Sequence, residues 1–343
     1  MNILDLVINV AILFVMMIPG IILKKCRLAS DGLGKGISNL VLYIAQPALI
    51  LYAYLSFEGK FADIWLDGVL VLAFSVIAHC IFSGVALLTF RRAPDSAKRM
   101  LRFATVFSNA AFMGIPLIQA IFNTRPEVTI YASIYNITFN MFLWTLGVYF
   151  CTSGRDRDNN GSDDWTDEKK KRRKSVLSFV KVLVHPVTLA SVIGIVLLAT
   201  GVNNATLASI KLDIISTCLE MLKNLVAPLS MTVLGLRIAE VKWRGMLRDK
   251  YMYLFLALRH ILLPLAVVAV MKLCAVIGVP ISYDVLTVTV ILAAAPAASS
   301  ATMFAEKYDC DASYVSRIVA ISTVLCIGTM PLIVMLANLW FGF

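Results

Sequence analysis

One apolar stretch of the sequence, FATVFSNAAFMGIPLIQAIF at 103–122, carries polar residues and helix breakers near its middle. Ser108 and Asn109 are followed by Gly114 and Pro116. By the 1.5 Å rise per residue of a helix, Asn109 would lie roughly 12 Å inside a membrane span. Gly114 and Pro116 predict that the helix is interrupted here, and Pro116 suits the first turn of a new helix.

A second stretch, VILAAAPAASSATMFAEKY, repeats this pattern in the other half of the chain. Pro296 is followed by Ser299 and Ser300, and the residues around the proline are small. Each proline alone could mark a simple kink, but two matching interruptions favour a binding site. The N-termini of half-helices carry partial positive charge and free N–H groups, so the site predicted here would bind an anion such as a carboxylate.

Three other polar residues occur within apolar stretches. Asn136 and Asn140 are four residues apart, so they share one helix face. They could line the same cavity or form hydrogen bonds between helices. Gln46 precedes Pro47 and could point towards the site.

The ionisable residues in apolar stretches each allow two interpretations. His79 could carry protons, although an isolated histidine is more often a hydrogen-bonded packing residue. Arg259 could reach an anion path or extend to the cytoplasmic interface, and the sequence favours the interface. Glu220 and Lys223 are three residues apart and are expected to form an ion pair.

The composition places all these residues in a membrane protein. Of the 343 residues, 59% are hydrophobic and 15% are charged, whereas soluble domains average about 25% charged. The mean hydropathy is +0.83, which excludes a soluble fold. The seven cysteines show neither Cys-x-x-Cys spacing nor a histidine cluster, so no metal or redox site is expected.

The apolar stretches predict an all-α fold of ten transmembrane helices. They cover approximately 5–23, 37–56, 67–90, 101–122, 129–151, 176–200, 211–239, 251–277, 284–305 and 314–340.

The loops after spans one, three, five, seven and nine hold most of the Lys and Arg residues, which places these loops in the cytoplasm. Both termini would then be extracytoplasmic, in a multi-pass protein of the cell (plasma or inner) membrane. The net charge of +10 therefore reflects topology, and no nucleic acid is expected as a partner. The polar segment 152–175 is expected to be a flexible cytoplasmic linker.

The linker separates two sets of five spans, a first repeat at 1–151 and a second at 176–343. Because five is odd, the second set must enter the membrane in the opposite sense, as inverted repeats do. A weak internal match supports this, since span two aligns with span seven with Pro47 opposite Pro228.

Three segments resemble the auxin efflux carrier family: SNAAFMGIPL, AAPAASSATMFAEKYDCD and STVLCIGTMPLIVML. The resemblance covers nearly the whole chain. It implies the ten-helix fold shared with bile-acid/sodium symporters, in which helices four and nine cross at the site. Spans one, two, six and seven would form a scaffold that dimerises, and spans three to five and eight to ten would form a moving transport domain. Members carry malonate, malate or indole-acetate.

The resemblance also implies roles for particular residues. Asn109 matches the family's polar residue at the first crossing, which implies that it binds substrate. At the second crossing the family often has Asn after the proline, where this chain has Ser299 and Ser300. The short central loop resembles that of the bacterial members.

Together these observations predict a secondary active transporter of small organic anions, driven by the membrane potential, H⁺ or Na⁺, with no cofactor. The sequence lacks G-x-x-x-x-G-K-[ST], so this chain is not expected to use ATP itself. A membrane-embedded sensor of a ligand or lipid is the alternative, because no carboxylate lies near either interruption. An enzyme is third, because no nucleophile–base pair can be argued from spacing.

Overall fold

The computed structural model describes residues 3–30, 32–153, 185–209, 213–241 and 249–343. The predicted linker at 152–175 and the first part of the sixth span, at 176–184, therefore lie almost entirely outside the described residues. Within the described residues the regular structure is helical apart from one isolated β-bridge.

Fourteen helices make up this part of the chain. They are α1 (Ile3–Val15), α2 (Ile18–Lys25), α3 (Leu33–Ser56), α4 (Phe61–Arg92), α5 (Asp95–Val106), α6 (Ala110–Ile121), α7 (126–152), α8 (Pro186–Ala199), α9 (Asn204–Ser209), α10 (Asp213–Glu240), α11 (Lys250–Val276), α12 (Tyr283–Ala294), α13 (Ser300–Lys307) and α14 (Ala312–Phe341).

Six helical segments of the described residues are long and apolar enough to cross a membrane. The chain is thus an all-α membrane protein. Fewer segments reach this length than the ten predicted spans, because two of those spans are divided into the shorter pieces α5, α6, α12 and α13. The helix α7 is long, but its Tyr, Asn, Ser and Thr side chains lower its mean hydropathy.

Helix ends contact one another in two separate groups. Loops predicted to be cytoplasmic are joined by the pairs Lys24–Glu240 (2.6 Å), Arg99 to the carbonyl of Cys151 (3.1 Å) and the Tyr251 hydroxyl to the carbonyl of Arg92 (2.8 Å). The loops predicted on the opposite side are joined by Asn204–Ser56 (3.2 Å), Ser282–Asp67 (2.7 Å) and Arg125–Asp284.

The core lies around α12, which packs against α4, α7, α11 and α14. Every residue from Val285 to Ala294 is buried. A twelve-residue helix that is mostly apolar and covered by other helices is typical of the interior of a membrane bundle. This central position places the break after Ala294 deep in the protein.

Two glycines allow α2 and α10 to approach closely. A Cβ at Gly235 would collide with the backbone carbonyl of Met17, and one at Gly20 would collide with that of Thr232. Small residues at such contacts let helix backbones pack together in membranes. The helix α3 packs in turn against α8 and α10, so α1, α2, α3, α8 and α10 form one continuous layer.

This contact gives a stability prediction. Gly235→Ala should lower the melting temperature of the detergent-purified protein, because overpacking against backbone typically costs ~1–3 kcal/mol. Gly84→Ala is the matched control, since Gly84 is exposed in α4 and a Cβ there would meet nothing within 4 Å. Equal melting temperatures for the two variants would show that the α2–α10 contact can relax without loss.

Candidate functional site

Two helix breaks meet at the centre of the protein. The first lies between α5 and α6, and the second lies between α12 and α13. The backbone N–H of Asn109 donates to the carbonyl of Pro296 (2.7 Å), and that of Ala298 donates to the carbonyl of Phe107 (2.8 Å). Ser108 and Ala297 form the antiparallel bridge between them. Each broken segment thus satisfies backbone groups of the other, as irregular backbone at membrane depth requires.

A buried arginine, Arg259, donates hydrogen bonds to the backbone beside both helix breaks. The Arg259 guanidinium donates to the carbonyl oxygens of Ala295 (2.6 Å) and Thr105 (3.4 Å), and its centre lies 5.2 Å from the Phe82 ring centroid. Arg259 is fully buried, so the expectation that it extends to the cytoplasmic interface is wrong. The physical reason is that its two acceptors belong to the C-terminal ends of α5 and α12, where helix dipoles favour a cation.

A second buried network holds the loop after Pro296. The backbone N–H of Ala297 donates to Ser322 Oγ (2.8 Å), which lies 2.9 Å from His260 Nε2. The other ring nitrogen, His260 Nδ1, lies 3.0 Å from Thr329 Oγ1. The roles of Ser322 and Thr329 were not predictable from the sequence, because single hydroxyls in an apolar helix carry no spacing signal.

The breaks also bring two side chains together. Asn109 precedes α6 and Ser299 precedes α13. The Ser299 hydroxyl donates to Asn109 Oδ1 (3.3 Å), which leaves the amide nitrogen Nδ2 of Asn109 buried without a hydrogen-bond partner. Buried donors are nearly always paired, so this amide is available to a ligand at the N-termini of two helices.

Asn109 lines a cavity of about 210 Å³. Seven of the predicted site residues line the cavity: Gln46, Ser108, Asn109, Asn136, Asn140, Ser299 and Ser300. The remainder of the wall includes the rings of Tyr43, Phe112, Phe139, Trp144 and Phe304, together with His185 and Lys307. Of the described residues that line it, none is acidic.

Three predicted residues shape the backbone and do not face this cavity. Pro116 lies in the first turn of the α-helical part of α6, after the π-helical turn Ala110–Gly114. Gly114 packs against Leu292 of α12. Pro296 contributes its carbonyl to the crossing.

His79 lies behind the cavity wall. Its Nδ1 is 2.7 Å from the carbonyl of Ser75, and aromatic rings surround it, with the centroid of Phe142 at 5.0 Å and that of Tyr135 at 5.7 Å. This environment favours a packing role for His79 over a role in a proton path.

Two hydrogen bonds, the Gln46 and Arg237 bridges, join α3 and α10 to the segments at the two helix breaks. Gln46 donates from Nε2 to the backbone carbonyl of Ala111 in α6 (2.5 Å). Arg237 donates to the backbone carbonyl of Ser299 (3.1 Å). These bonds connect α3 and α10 to the segments that begin the two half-helices.

Lys307 lines the cavity but was not predicted from the sequence to be a site residue. Its ammonium lies 5.5 Å from the Trp144 ring centroid, and the residue is exposed at the end of α13. In the sequence, Lys307 contributes only to the charge of the loop after span nine. Ser300, Phe304 and Lys307 are spaced four and three residues apart, so helix periodicity could have placed this lysine on the face of Ser300.

Comparison with known proteins identifies the family of the chain. The model of one family, described as membrane transport proteins, matches residues 5–334. No curated protein matches the chain. The family is one of transporters rather than enzymes. Because the match spans almost the whole sequence, the chain belongs to the membrane transport protein family, the family of the auxin efflux carriers.

Proposed function

We propose that this chain is a secondary active transporter of small organic anions, such as malate, malonate or an auxin-like acid, which works by alternating access. The observation that carries the proposal is the unpaired amide of Asn109, buried between the N-termini of α6 and α13. Such a position favours a negatively charged group.

A carboxylate at this position would meet several donors at once. It would accept a hydrogen bond from Asn109 Nδ2 and lie within reach of the Ser300 hydroxyl and the first turns of both half-helices. Lys307 at the edge of the cavity adds positive charge. The apolar part of the substrate would contact the rings of Phe139 and Trp144, which line the same cavity.

The proposal includes ten spans in two inverted repeats of five. The two groups of helix-end contacts support it, because each contact joins loops that the charge bias assigns to the same side. We place both termini outside the cytoplasm and the 152–175 linker inside it, in the cell membrane. The cavity then lies on the cytoplasmic side of the crossing, since Lys307 and His185 lie at helix ends on that side.

Alternating access would move one group of helices against another. Spans one, two, six and seven would form the scaffold, supported by the close packing of α2 with α10 and of α3 with α8. Spans three to five and eight to ten would form the transport domain. The Gln46 and Arg237 bridges would break and re-form during this movement. The scaffold, surrounded by lipid, would pair with a second copy of the chain, and no cofactor is involved.

The first experiment is a thermal-shift screen of the detergent-purified protein with malonate, malate and indole-3-acetate, each with Na⁺ or K⁺ and at two pH values. A ligand at 100 times its Kd adds about 2.7 kcal/mol to the native state, which moves a melting point visibly. Asn109→Ala should abolish that shift, because it removes the unpaired donor, while the melting temperature without ligand stays close to that of the parent.

Asn338→Ala is a suitable control, because Asn338 is a half-buried asparagine that does not line the cavity. An equal ligand-induced shift in Asn109→Ala and the parent would remove Asn109 from the site. Dependence of the shift on Na⁺ or pH would identify the coupling ion.

Net flux separates the transporter from a sensor built on the same fold. Purified protein in proteoliposomes should accumulate the radiolabelled carboxylate that gives the largest thermal shift. Binding without flux under a membrane potential, a Na⁺ gradient or a pH gradient would favour the sensor.

A further inference from the structure

A second cavity lies on the other side of the crossing. Its volume is about 490 Å³, and its lining includes Tyr52, Ser56, Gln119, Thr129 and Lys223. Among the described residues, none lines both this cavity and the first one. However, α3, α6 and α7 contribute to the walls of both cavities, so the two lie at opposite ends of the same helix interface.

A stripe of polar side chains on α7 connects the two cavities. Asn140 and Asn136 line the first cavity, and Thr129 lines the second. Ser133 lies between them in the sequence and contacts the Tyr54 hydroxyl at 3.4 Å. Spacings of four, three and four residues place all four on one helix face. They are at most 5% exposed, so the stripe is a buried polar track through an otherwise apolar interface.

Lys223 supplies the positive charge of the second cavity. Its ammonium lies 3.6 Å from the centroid of the Tyr52 ring and 3.8 Å from Glu220 Oε1. The predicted Glu220–Lys223 ion pair is thus confirmed. Glu220 is the acidic residue of this wall, but its side chain is 52% exposed, and a solvated pair at this distance is weak. An ammonium has three donors, so Lys223 can bind a second acceptor that enters the cavity.

The two cavities therefore contain similar groups. Each has one lysine placed over an aromatic ring, Lys307 over Trp144 in the first and Lys223 over Tyr52 in the second. Each also contains amide or hydroxyl side chains of α7. An anion that leaves the protected crossing for water needs a counter-charge at either end of its route, because an unpaired charge is costly within the membrane.

We propose that the second cavity is the anion-binding site of the opposite-facing state, with Lys223 as its cation and the α7 stripe as the polar face that moves past it together with the bound anion. The inference rests on the proposed function, because it assigns to the same organic anion its contact on the other membrane face. Lys223 contributes to affinity on that face only.

Transport measured from each face tests this assignment. Initial uptake of the carboxylate selected from malonate, malate and indole-3-acetate is compared in right-side-out and inside-out membrane vesicles. Lys223→Gln should raise the half-saturating concentration about tenfold at the face of the second cavity, and less than twofold at the other face. Lys307→Gln should show the reverse asymmetry.

Two control variants make the result specific. Lys272→Gln changes a lysine that also lies over a ring, 4.9 Å from the Phe341 centroid, but lines neither cavity, and it should behave like the parent at both faces. Lys223→Arg keeps the charge, so its half-saturating concentration should stay within threefold of that of the parent.

If the half-saturating concentration for Lys223→Gln equals that of the parent at both faces, the proposal is overturned. An equal rise of the half-saturating concentration in Lys223→Gln and Lys223→Arg would also overturn it, since Lys223 would then only pack against Tyr52. An absence of uptake by the parent protein from either face would instead overturn the proposed function, and this inference with it.

Discussion

Replacing Arg259 with methionine should sharply reduce the amount of folded protein. The substitution leaves the carbonyl oxygens of Ala295 and Thr105 buried without a donor. Each unsatisfied buried acceptor costs about 1–3 kcal/mol, which is large beside the 5–15 kcal/mol or so that stabilises a typical native domain. We expect a low monodisperse yield in size-exclusion chromatography and a melting temperature well below that of the parent.

A second variant separates the contribution of the Arg259 charge to stability from that of its hydrogen bonds. Arg259→Lys keeps the charge but loses the fork of donors that reaches two acceptors at once, so its stability should fall between those of the parent and the methionine variant. Arg91→Met is the control, because Arg91 is exposed. A normal yield and melting temperature for Arg259→Met would show that the crossing is held by its own backbone bonds alone.

The second large effect is expected from Asn109→Asp. This change preserves the shape of the side chain but places a negative charge at the N-termini of α6 and α13, in the position proposed for the substrate carboxylate. Like charges in contact cost several kcal/mol, so affinity for organic anions should fall about 100-fold or more. Isothermal titration of the purified variant with the selected carboxylate measures the loss.

Asn109→Leu provides the comparison, since it removes the donor at similar volume without adding charge. Its affinity should fall less than that of the aspartate variant. If the two variants bind equally weakly, the amide donor matters and the local positive potential does not. Parent-like binding by Asn109→Asp would contradict the proposal that an anion occupies this position.

The interruptions of the fold were predictable from the sequence because proline and glycine act locally. Pro296 lies in the second break, as expected, whereas the first break lies at 107–109, so Gly114 and Pro116 fall inside α6, five and seven residues after Asn109. Helix lengths were less predictable, since α4 begins at Phe61 where span three was expected to begin at residue 67. Its start is set by Asp63, which accepts from the backbone N–H of Lys60 (2.7 Å). Such a cap is invisible to a reading based on hydropathy.

The candidate site was predictable only where polar residues interrupt apolar stretches. Asn109, Ser299 and Asn136 have this signature, and all three line the first cavity. The aromatic wall could not be predicted, because Trp144 and Phe304 resemble lipid-facing residues in sequence. Arg259 was misplaced for a similar reason, since only the fold reveals that two helix ends converge on it.

The crossing is joined by main-chain atoms, with Asn109 N–H bonded to the carbonyl of Pro296 and Ala298 N–H to that of Phe107. A residue of any type except proline can donate these bonds, so the joint does not depend on the side chains of residues 108, 109 and 299. Substrate preference and architecture can therefore diverge separately during evolution. A protein with this joint can acquire a new substrate by exchanging a few side chains, while it keeps the fold that carries them.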